Sequence, residues 1–451
     1  MAKPKTRATD AALPANPALD KVLDAVVNSP THPLASLSVL AVKAGKVSYH
    51  KQFGAKWIDP INPANRKPAD ANTMYRIASI SKLITTLGVM KLVEQGKLAL
   101  DEDVGKYLGY TLRNPHFAAS PITLRQMLSH TSSLRDDGGY YWEAKLKVNL
   151  RDVLVPGGAY YNKGAMWAKN AKPGAYFQYA NFPWGIIGTV MECVTNERFD
   201  KLMRRLILDP MGLPGGFHPA DLSAADVANL ATLYRKRSEI NGKEVWNTSG
   251  PWVAQVDDHS KQPPQPRAGP DYKIGTNGTL FGPQGNCRMS AAGLAEIMFM
   301  LIDEGRHKGK LILKPASVAE MMREQWRHNG KGEKYFAGSN GDTNGEADFG
   351  SAIRLMNAWG LGNQHFLDIT GAGNGDRLVR QGGFRAFGHL GDAWGLTSAL
   401  VFNPFSRDGM IFMTGGPGFN PDTTRGEYSG MYRHEEKILD ALYTGAVQAR
   451  A

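Results

Sequence analysis

The sequence predicts a mixed α/β (α+β) chain, with strands towards both ends and helices between them. Val-, Leu- and Ser-rich alternating stretches occupy 35–54, helix-like segments recur from 77 to 325, and further strand-like stretches fill 388–402 and 409–414. This order suggests one sheet domain built from both termini around a mainly helical insertion. The expected boundaries are a loose tail over 1–16, a sheet domain from 17–76 and 351–451, and a mainly helical domain over 77–350. A length of 451 residues has room for two or three domains, or for one large fold with an insertion.

Each element has its own signal. Residues 17–28 place Leu19, Val22, Leu23 and Val26 at helical spacing. Lys43-Ala44-Gly45-Lys46 sits where a hairpin over 35–54 turns. The segment 77–94 puts Leu83, Leu87 and Met90 on one helical face, with Gly96 where a C-terminal cap belongs. Helical patterns return at 123–130, 184–206, 223–235, 290–305 and 315–325, and 433–443 reads as a closing helix. Two polar, Pro- and Gly-rich spans, near 243–285 and 329–350, read as long loops, which in a compact domain are often functional. The glycine-rich run 371–375 lacks the strand–helix context of a dinucleotide site and reads as a loop.

Composition narrows the function. With 42% hydrophobic and 21% charged residues the chain is an ordinary globular protein. Cys193 and Cys287 are too few for a disulfide scaffold or a four-cysteine zinc site, and read most simply as free thiols, with a single bridge the alternative. The net charge of +11 invites a nucleic-acid reading, but the basic residues are scattered, mixed with acids and not interleaved with aromatics. No apolar stretch of about 18 residues exists to span a membrane. The basic N-terminus is not followed by a signal's apolar segment. A chain that starts here is expected in the cytoplasm; one that has lost a leader would be periplasmic or secreted.

Three short motifs carry chemistry. Ser79-Ile80-Ser81-Lys82 is an SxxK at the start of the 77–94 helix. Residues three apart share a helix face, so the hydroxyl and the amine can meet. A serine hydroxyl needs a base within hydrogen-bond reach, and a buried lysine can be that base when desolvation lowers its pKa. The helix N-terminus favours the developing alkoxide. Tyr179-Ala180-Asn181 precedes a helix that starts near Pro183; Tyr179 can relay a proton, and Asn181 can hold a substrate carbonyl or the lysine. His389-Leu390-Gly391 lies in a predicted strand, where Gly391 removes bulk from the path of a substrate backbone. Taken singly, each motif also reads as ordinary structure: a cap serine, a core tyrosine, an edge-strand histidine.

In this order and at these separations the motifs resemble the serine β-lactamase and penicillin-recognising hydrolase family, defined by an SxxK, a Tyr or Ser motif and a Lys-Thr-Gly-like motif. The Tyr-x-Asn and His-x-Gly forms are similar to its branch of class C β-lactamases, family VIII esterases and D-aminopeptidases. Segments 96–104, 122–132, 209–213 and 286–305 also resemble recurrent family segments, with Ser133 where a His-Thr-Ser-Gly-Leu run has glycine. The resemblance implies the β-lactamase/transpeptidase-like fold, an antiparallel sheet flanked by helices with a mainly helical insertion. It implies that Ser79 is acylated, that Lys82 assists it, and that Tyr179 shuttles the proton to the leaving group. It places Asn181 as the polar residue of the second motif and His389 in the position of the third motif's lysine. The oxyanion hole would use the backbone N–H groups of Ser79 and Asp392. No metal or cofactor is implied.

The third motif bears on the substrate. Leu390 cannot hydrogen-bond a carboxylate as the family's frequent Thr or Ser does. Asp392, on the same strand face, would repel a carboxylate at roughly 4 Å by about 4 kcal/mol at an effective dielectric near 20, unless its side chain turns away to cap a loop. Histidine is also less reliably cationic than lysine. The site therefore suits neutral esters or amides, or substrates with an amine, better than β-lactams or peptide carboxylates. Tyr140, Tyr141, Trp142, Tyr160 and Trp167 are candidates for an apolar pocket. The expected activity is hydrolysis of a small ester, amide or short peptide through an acyl-enzyme, with no nucleic-acid or membrane partner. The alternatives are a β-lactamase, a D,D-carboxypeptidase or D-aminopeptidase, and a non-enzymatic penicillin-binding-like protein.

Overall fold

The computed structural model describes residues 13–328, 355–371 and 374–448. Of the tail expected over 1–16 only 13–16 are described, and the loop expected near 329–350 lies outside the described residues. Ala44 and Gly45 both take positive φ, 48° and 78°, the geometry of a tight hairpin turn. They join β1 (Ser36–Lys43) to β2 (Lys46–Ile58). With β3 (Arg66–Pro68), β4 (Trp326–Arg327), β5 (Ala358–Trp359), β6 (Gln364–Phe366), β7 (Ala386–Ala393), β8 (Leu396–Asn403) and β9 (Asp408–Thr414), they form a nine-stranded sheet. Its order is β4-β5-β6-β7-β8-β9-β1-β2-β3, and its strand pairs run antiparallel. Pairing of Leu37 with Thr414 through Val42 with Gly409 joins the first strand of the chain to the last.

Alternation along the strands divides the core in two. Leu37, Val39, Ala399, Val401 and Phe412 pack with α1 (Pro17–Val27) and the closing helix, while Leu40, Val42, Leu400 and Ile411 pack on the opposite face. That opposite face carries α2 (Ile80–Glu94), with α3 (Phe182–Thr195) beyond it, and α4 (Ala291–Ile302). The closing helix is α5 (Arg433–Leu442). Two differences from the expected division follow: β4 is a sheet strand inside the segment assigned to the helical part, and α4 packs on the sheet.

Helix α2 is not the one-sided helix that Leu83, Leu87 and Met90 suggest. Every residue from Ile80 to Met90 is buried, as a helix at the centre of a fold requires. Its polar side chains are satisfied internally. Ser81 Oγ accepts the Cys287 N–H at 3.0 Å, and Thr85 Oγ1 donates to the Pro283 carbonyl at 2.8 Å.

Three further expectations are corrected. The strand expected over 388–402 is a hairpin, β7 and β8, turning at Trp394-Gly395 with Gly395 at φ 68°. The helix expected over 184–206 stops at Thr195, where Asn196 turns to φ 51°, and resumes at Phe199. The helix expected over 223–235 is only Ala224–Ala228; the chain then forms a small sheet from Leu233–Ile240, Lys243–Trp246 and Trp252–Val256. The loop expected over 243–285 therefore begins with two strands. Asn241 and Gly242 at φ 52° and 75° make the turn, and the Arg235 guanidinium lies 4.9 Å from the Trp246 ring and 4.8 Å from Trp394, an attraction worth about 0.5–1 kcal/mol per exposed pair.

The loop before α5 is fixed by one buried carboxylate. Glu436 accepts hydrogen bonds from the backbone N–H groups of Glu427 (2.7 Å), Tyr428 (3.1 Å) and Ser429 (2.9 Å), and from the Ser429 hydroxyl (2.8 Å). Removing it strands several buried donors. Glu436→Ala is expected to lower unfolding free energy by roughly 3 kcal/mol, with Glu436→Gln milder, as read by urea denaturation. Equal stability of the alanine variant and the parent would contradict this role.

Candidate active site

Three segments far apart in sequence meet at the N-terminus of α2. Ser79 is the residue just before the helix, Tyr179 and Asn181 lie just before α3, and His389 to Asp392 lie on β7. All line one cleft of about 660 Å³. Ala78, immediately before the serine, has φ +46°. That left-handed conformation costs a non-glycine residue about 1–2 kcal/mol, and the turn it makes leads the chain into the helix at Ser79.

Lys82 is completely buried. Its Nζ lies 3.0 Å from Ser79 Oγ, 2.8 Å from Asn181 Oδ1 and 3.2 Å from the Gln284 carbonyl. Burial pulls its pKa down to about 7, with Asp136 pulling the other way. A neutral amine has two hydrogens and one lone pair. Asn181 Oδ1 and the Gln284 carbonyl can only accept, so they take the two hydrogens and leave the lone pair to the Ser79 hydroxyl. Tyr179 covers the amine, with Nζ 4.8 Å from its ring centre. Burial raises the Tyr179 pKa, opposed by a side-chain hydrogen bond with Ser79, so the phenol keeps its proton near neutral pH.

His130 and Asp136 hold the Tyr179-Ala180-Asn181 segment. His130 stacks against the Tyr179 ring at 4.4 Å, its Nδ1 accepts the Ala180 N–H at 3.2 Å, and its carbonyl accepts the Gln178 N–H at 2.8 Å. Asp136 accepts the backbone N–H of Asn181 at 2.8 Å, that of Phe182 at 2.8 Å and the Asn181 Nδ2–H at 2.9 Å. Neither residue carries a role in the sequence reading. His130 lies in the family-like 122–132 segment, but Asp136 is separated from its partners by 45 residues, with no spacing rule to reveal it.

On β7, pairing with β6 ends at Gly388, so residues 389–393 are bridged on one side only, by β8. A Cβ at Gly391 would lie 2.8 Å from the Ile77 carbonyl and would collide with Ser398 Oγ. Glycine is what lets this strand approach the Ser79 turn. His389 is neutral: burial and the nearby Lys82 push its pKa down to about 3. Its Nδ1–H donates to the Leu390 carbonyl, and its Nε2, buried and without a partner, leaves an acceptor at the cleft wall. The third motif thus presents no cation. Asp392 faces the cleft and also accepts a hydrogen bond from the Tyr432 hydroxyl at 3.0 Å. Ser79 N–H has no acceptor among the described residues.

The same chain matches the family profile described as Beta-lactamase over residues 19–430. The chain belongs to the beta-lactamase family. Among curated relatives, Protein flp of Staphylococcus aureus (strain MRSA252) is 30% identical over 177 residues, covering 39% of this chain and 33% of that protein; the match spans about a third of the relative's length. Among solved structures, the octameric penicillin-binding protein homologue from Pyrococcus abyssi superposes with a TM-score of 0.61 at 21% identity, covering 96% of this chain and 78% of that one. The D-amino acid amidase from Ochrobactrum anthropi SV3, complexed with L-phenylalanine, gives 0.59 at 16% identity and 96% coverage of each chain. The large antiparallel sheet with its helices is the β-lactamase/transpeptidase fold.

Of the aromatics expected in the pocket, Tyr140 lines the cleft. Tyr141, Trp142, Tyr160 and Trp167 do not. Trp167 is buried in the core, Trp142 packs edge-on against Phe182 at 5.5 Å, Tyr160 joins the same core, and Tyr141 is exposed. Trp142, Tyr160 and Trp167 serve the packing of the helical part. One cluster among the described residues, Asp200, His218 and Asp221, has ligand atoms close enough for a metal. Arg198 already pairs with both carboxylates, Lys201 with Asp221, and His218 Nε2 accepts the Arg267 N–H. Its donors are spent, and none of the three lines the cleft.

The buried lysine predicts a stability signature. Lys82 is raised in the unfolded chain (10.5) relative to the fold (about 7), so the unfolded state binds more protons between those values and stability rises with pH across them. Lys82→Met removes this dependence. Relative to the parent, its melting temperature should improve as pH falls from 10 to 6; a pH-independent difference would mean that Lys82 is not buried as a neutral amine.

Proposed function

We propose that this protein is a serine hydrolase that cleaves a carboxylic ester or amide through an acyl-enzyme on Ser79. The observation that carries the reading is the Lys82 amine, fully buried and 3.0 Å from Ser79 Oγ with its other two contacts both acceptors. The Lys82 lone pair takes the Ser79 proton as Oγ bonds to the substrate carbonyl carbon. The negative oxygen is received by the backbone N–H groups of Ser79 and Asp392, where one such donor is typically worth about 10²–10³ in kcat. The ammonium formed on Lys82 lies over the Tyr179 ring, a favourable cation–π position. Tyr179 passes a proton to the leaving group and is reprotonated from Lys82. Water then attacks the acyl-enzyme by the reverse route and releases the acid.

The cleft's third motif favours neutral esters and amides, or amine-bearing substrates, over carboxylates. His389 offers an acceptor where a lysine would offer a cation, and Asp392 adds a negative charge beside it. A β-lactamase or D,D-peptidase activity is the rival reading within enzymes. A purely binding role is disfavoured because Ser79, Lys82 and Tyr179 stand in hydrogen-bond and ring contact.

A panel of p-nitrophenyl esters, amino-acid amides and nitrocefin tests this reading. Ser79→Ala should lose at least about 10³-fold in kcat/KM, and Tyr179→Phe about 10²-fold. For the parent, kcat/KM should rise with pH through about 7, as Lys82 loses its proton. Full activity in Ser79→Ala would end the acyl-enzyme reading, and nitrocefin turnover equal to that of simple esters would end the substrate preference.

A further inference from the structure

The geometry points to Asp136 as a positioning residue that acts on Lys82 through Asn181, holding the amide in one orientation and serving as the counter-ion of the ammonium formed during catalysis. This inference rests on the serine-hydrolase reading above. The two ends of the relay do not touch. Lys82 Nζ donates to Asn181 Oδ1 at 2.8 Å, and Asn181 Nδ2 donates to Asp136 Oδ2 at 2.9 Å. An asparagine amide can be turned either way round, and its neighbours decide which end faces which. Asp136 can only accept, so it takes Nδ2–H and leaves the carbonyl end for the lysine. The backbone N–H groups of Asn181 and Phe182, which open α3, complete the carboxylate's set of donors. Burial raises the Asp136 pKa, and the N–H groups of Phe182 and Asn181, the Asn181 amide and the Lys82 charge all oppose that rise.

The charge is well placed to act. When Lys82 takes the Ser79 proton, an ammonium appears in a site without solvent, where an unpaired charge is costly. Asp136 is the carboxylate that counters the effect of burial on Lys82. The other groups around the amine bring no opposing charge. Burial, together with Lys82 itself, keeps His130 and His389 neutral. The Tyr179 phenol stays protonated, with Tyr140 and Asp392 acting on Tyr179 from further out in the cleft. A carboxylate one amide removed from the base therefore does for lysine what an orienting acid does for a catalytic histidine.

A purely structural role for Asp136, capping α3, predicts a different outcome, and the pH profile separates them. In Asp136→Asn, kcat on the best ester of the panel should fall about 10–100-fold with KM little changed. The rising limb of kcat/KM should move to lower pH by about one unit, because removing a nearby opposite charge lowers the lysine pKa. An unmoved limb in a variant that keeps the parent's melting temperature would overturn the proposal. Should Asp136→Asn fail to fold, Asn181→Leu cuts the relay while leaving the backbone capping bonds; its limb should also shift, and an unmoved limb there overturns the proposal too. Loss of activity in Ser79→Ala alongside an unmoved limb in these variants separates failure of this inference from failure of the hydrolase reading.

Discussion

The site is organised around the contacts of a single nitrogen. Lys82 Nζ touches the hydroxyl of the residue that precedes its own helix, an amide carried by the segment before α3, and a backbone carbonyl at Gln284. Each contact comes from a different stretch of chain, so the amine can be satisfied only when all three are in place. The same burial that ties them together removes the water that would otherwise keep the amine charged. Packing and reactivity thus have one cause. Placing a lysine in the buried part of α2 costs stability; under the proposed function the compensation is a base beside Ser79, the trade that functional sites commonly make.

The surroundings serve this contact set by allowing close approach. Ala78 accepts a left-handed backbone so that the chain turns into α2 at the serine, and Gly391 lets β7 pass within side-chain distance of the Ile77 carbonyl. On the opposite wall, Glu436 holds the loop that ends at Tyr432, whose hydroxyl reaches both Asp392 and Asp422. The cleft therefore has one side set by backbone proximity and another by a buried carboxylate. The cleft wall opposite Ser79 carries the carboxylates of Asp392 and Asp422 together with the guanidinium groups of Arg235 and Arg425.

Much of this was legible in the sequence wherever the signal was local. The SxxK spacing placed Ser79 and Lys82 on one helical face, Tyr179 and Asn181 were marked by the helix that follows them, and Ala44-Gly45 marked a turn. What escaped depended on partners distant in the chain. Asp136 meets Asn181 across 45 residues, and no periodicity connects them. The small sheet over 233–256 was hidden because its cationic residues are held by tryptophans of other strands; the Asn241-Gly242 turn was the signal that could have revealed it. The Trp394-Gly395 turn lies inside an apolar run, which makes a hairpin look like one strand. Of the aromatics between the first two motifs only Tyr140 lines the cleft, because large rings stabilise a helical core as readily as they line a cleft, and composition does not distinguish the two.

The site's chemistry turns on whether Lys82 loses its proton near neutral pH. Titrating lysine side chains by ¹³Cε and ¹⁵Nζ NMR, with the Lys82 signal assigned from its absence in Lys82→Met, measures this without reference to any substrate. Lys82 is expected to titrate near pH 7. A Lys82 signal that stays charged until about pH 10, like an ordinary exposed lysine, would contradict it.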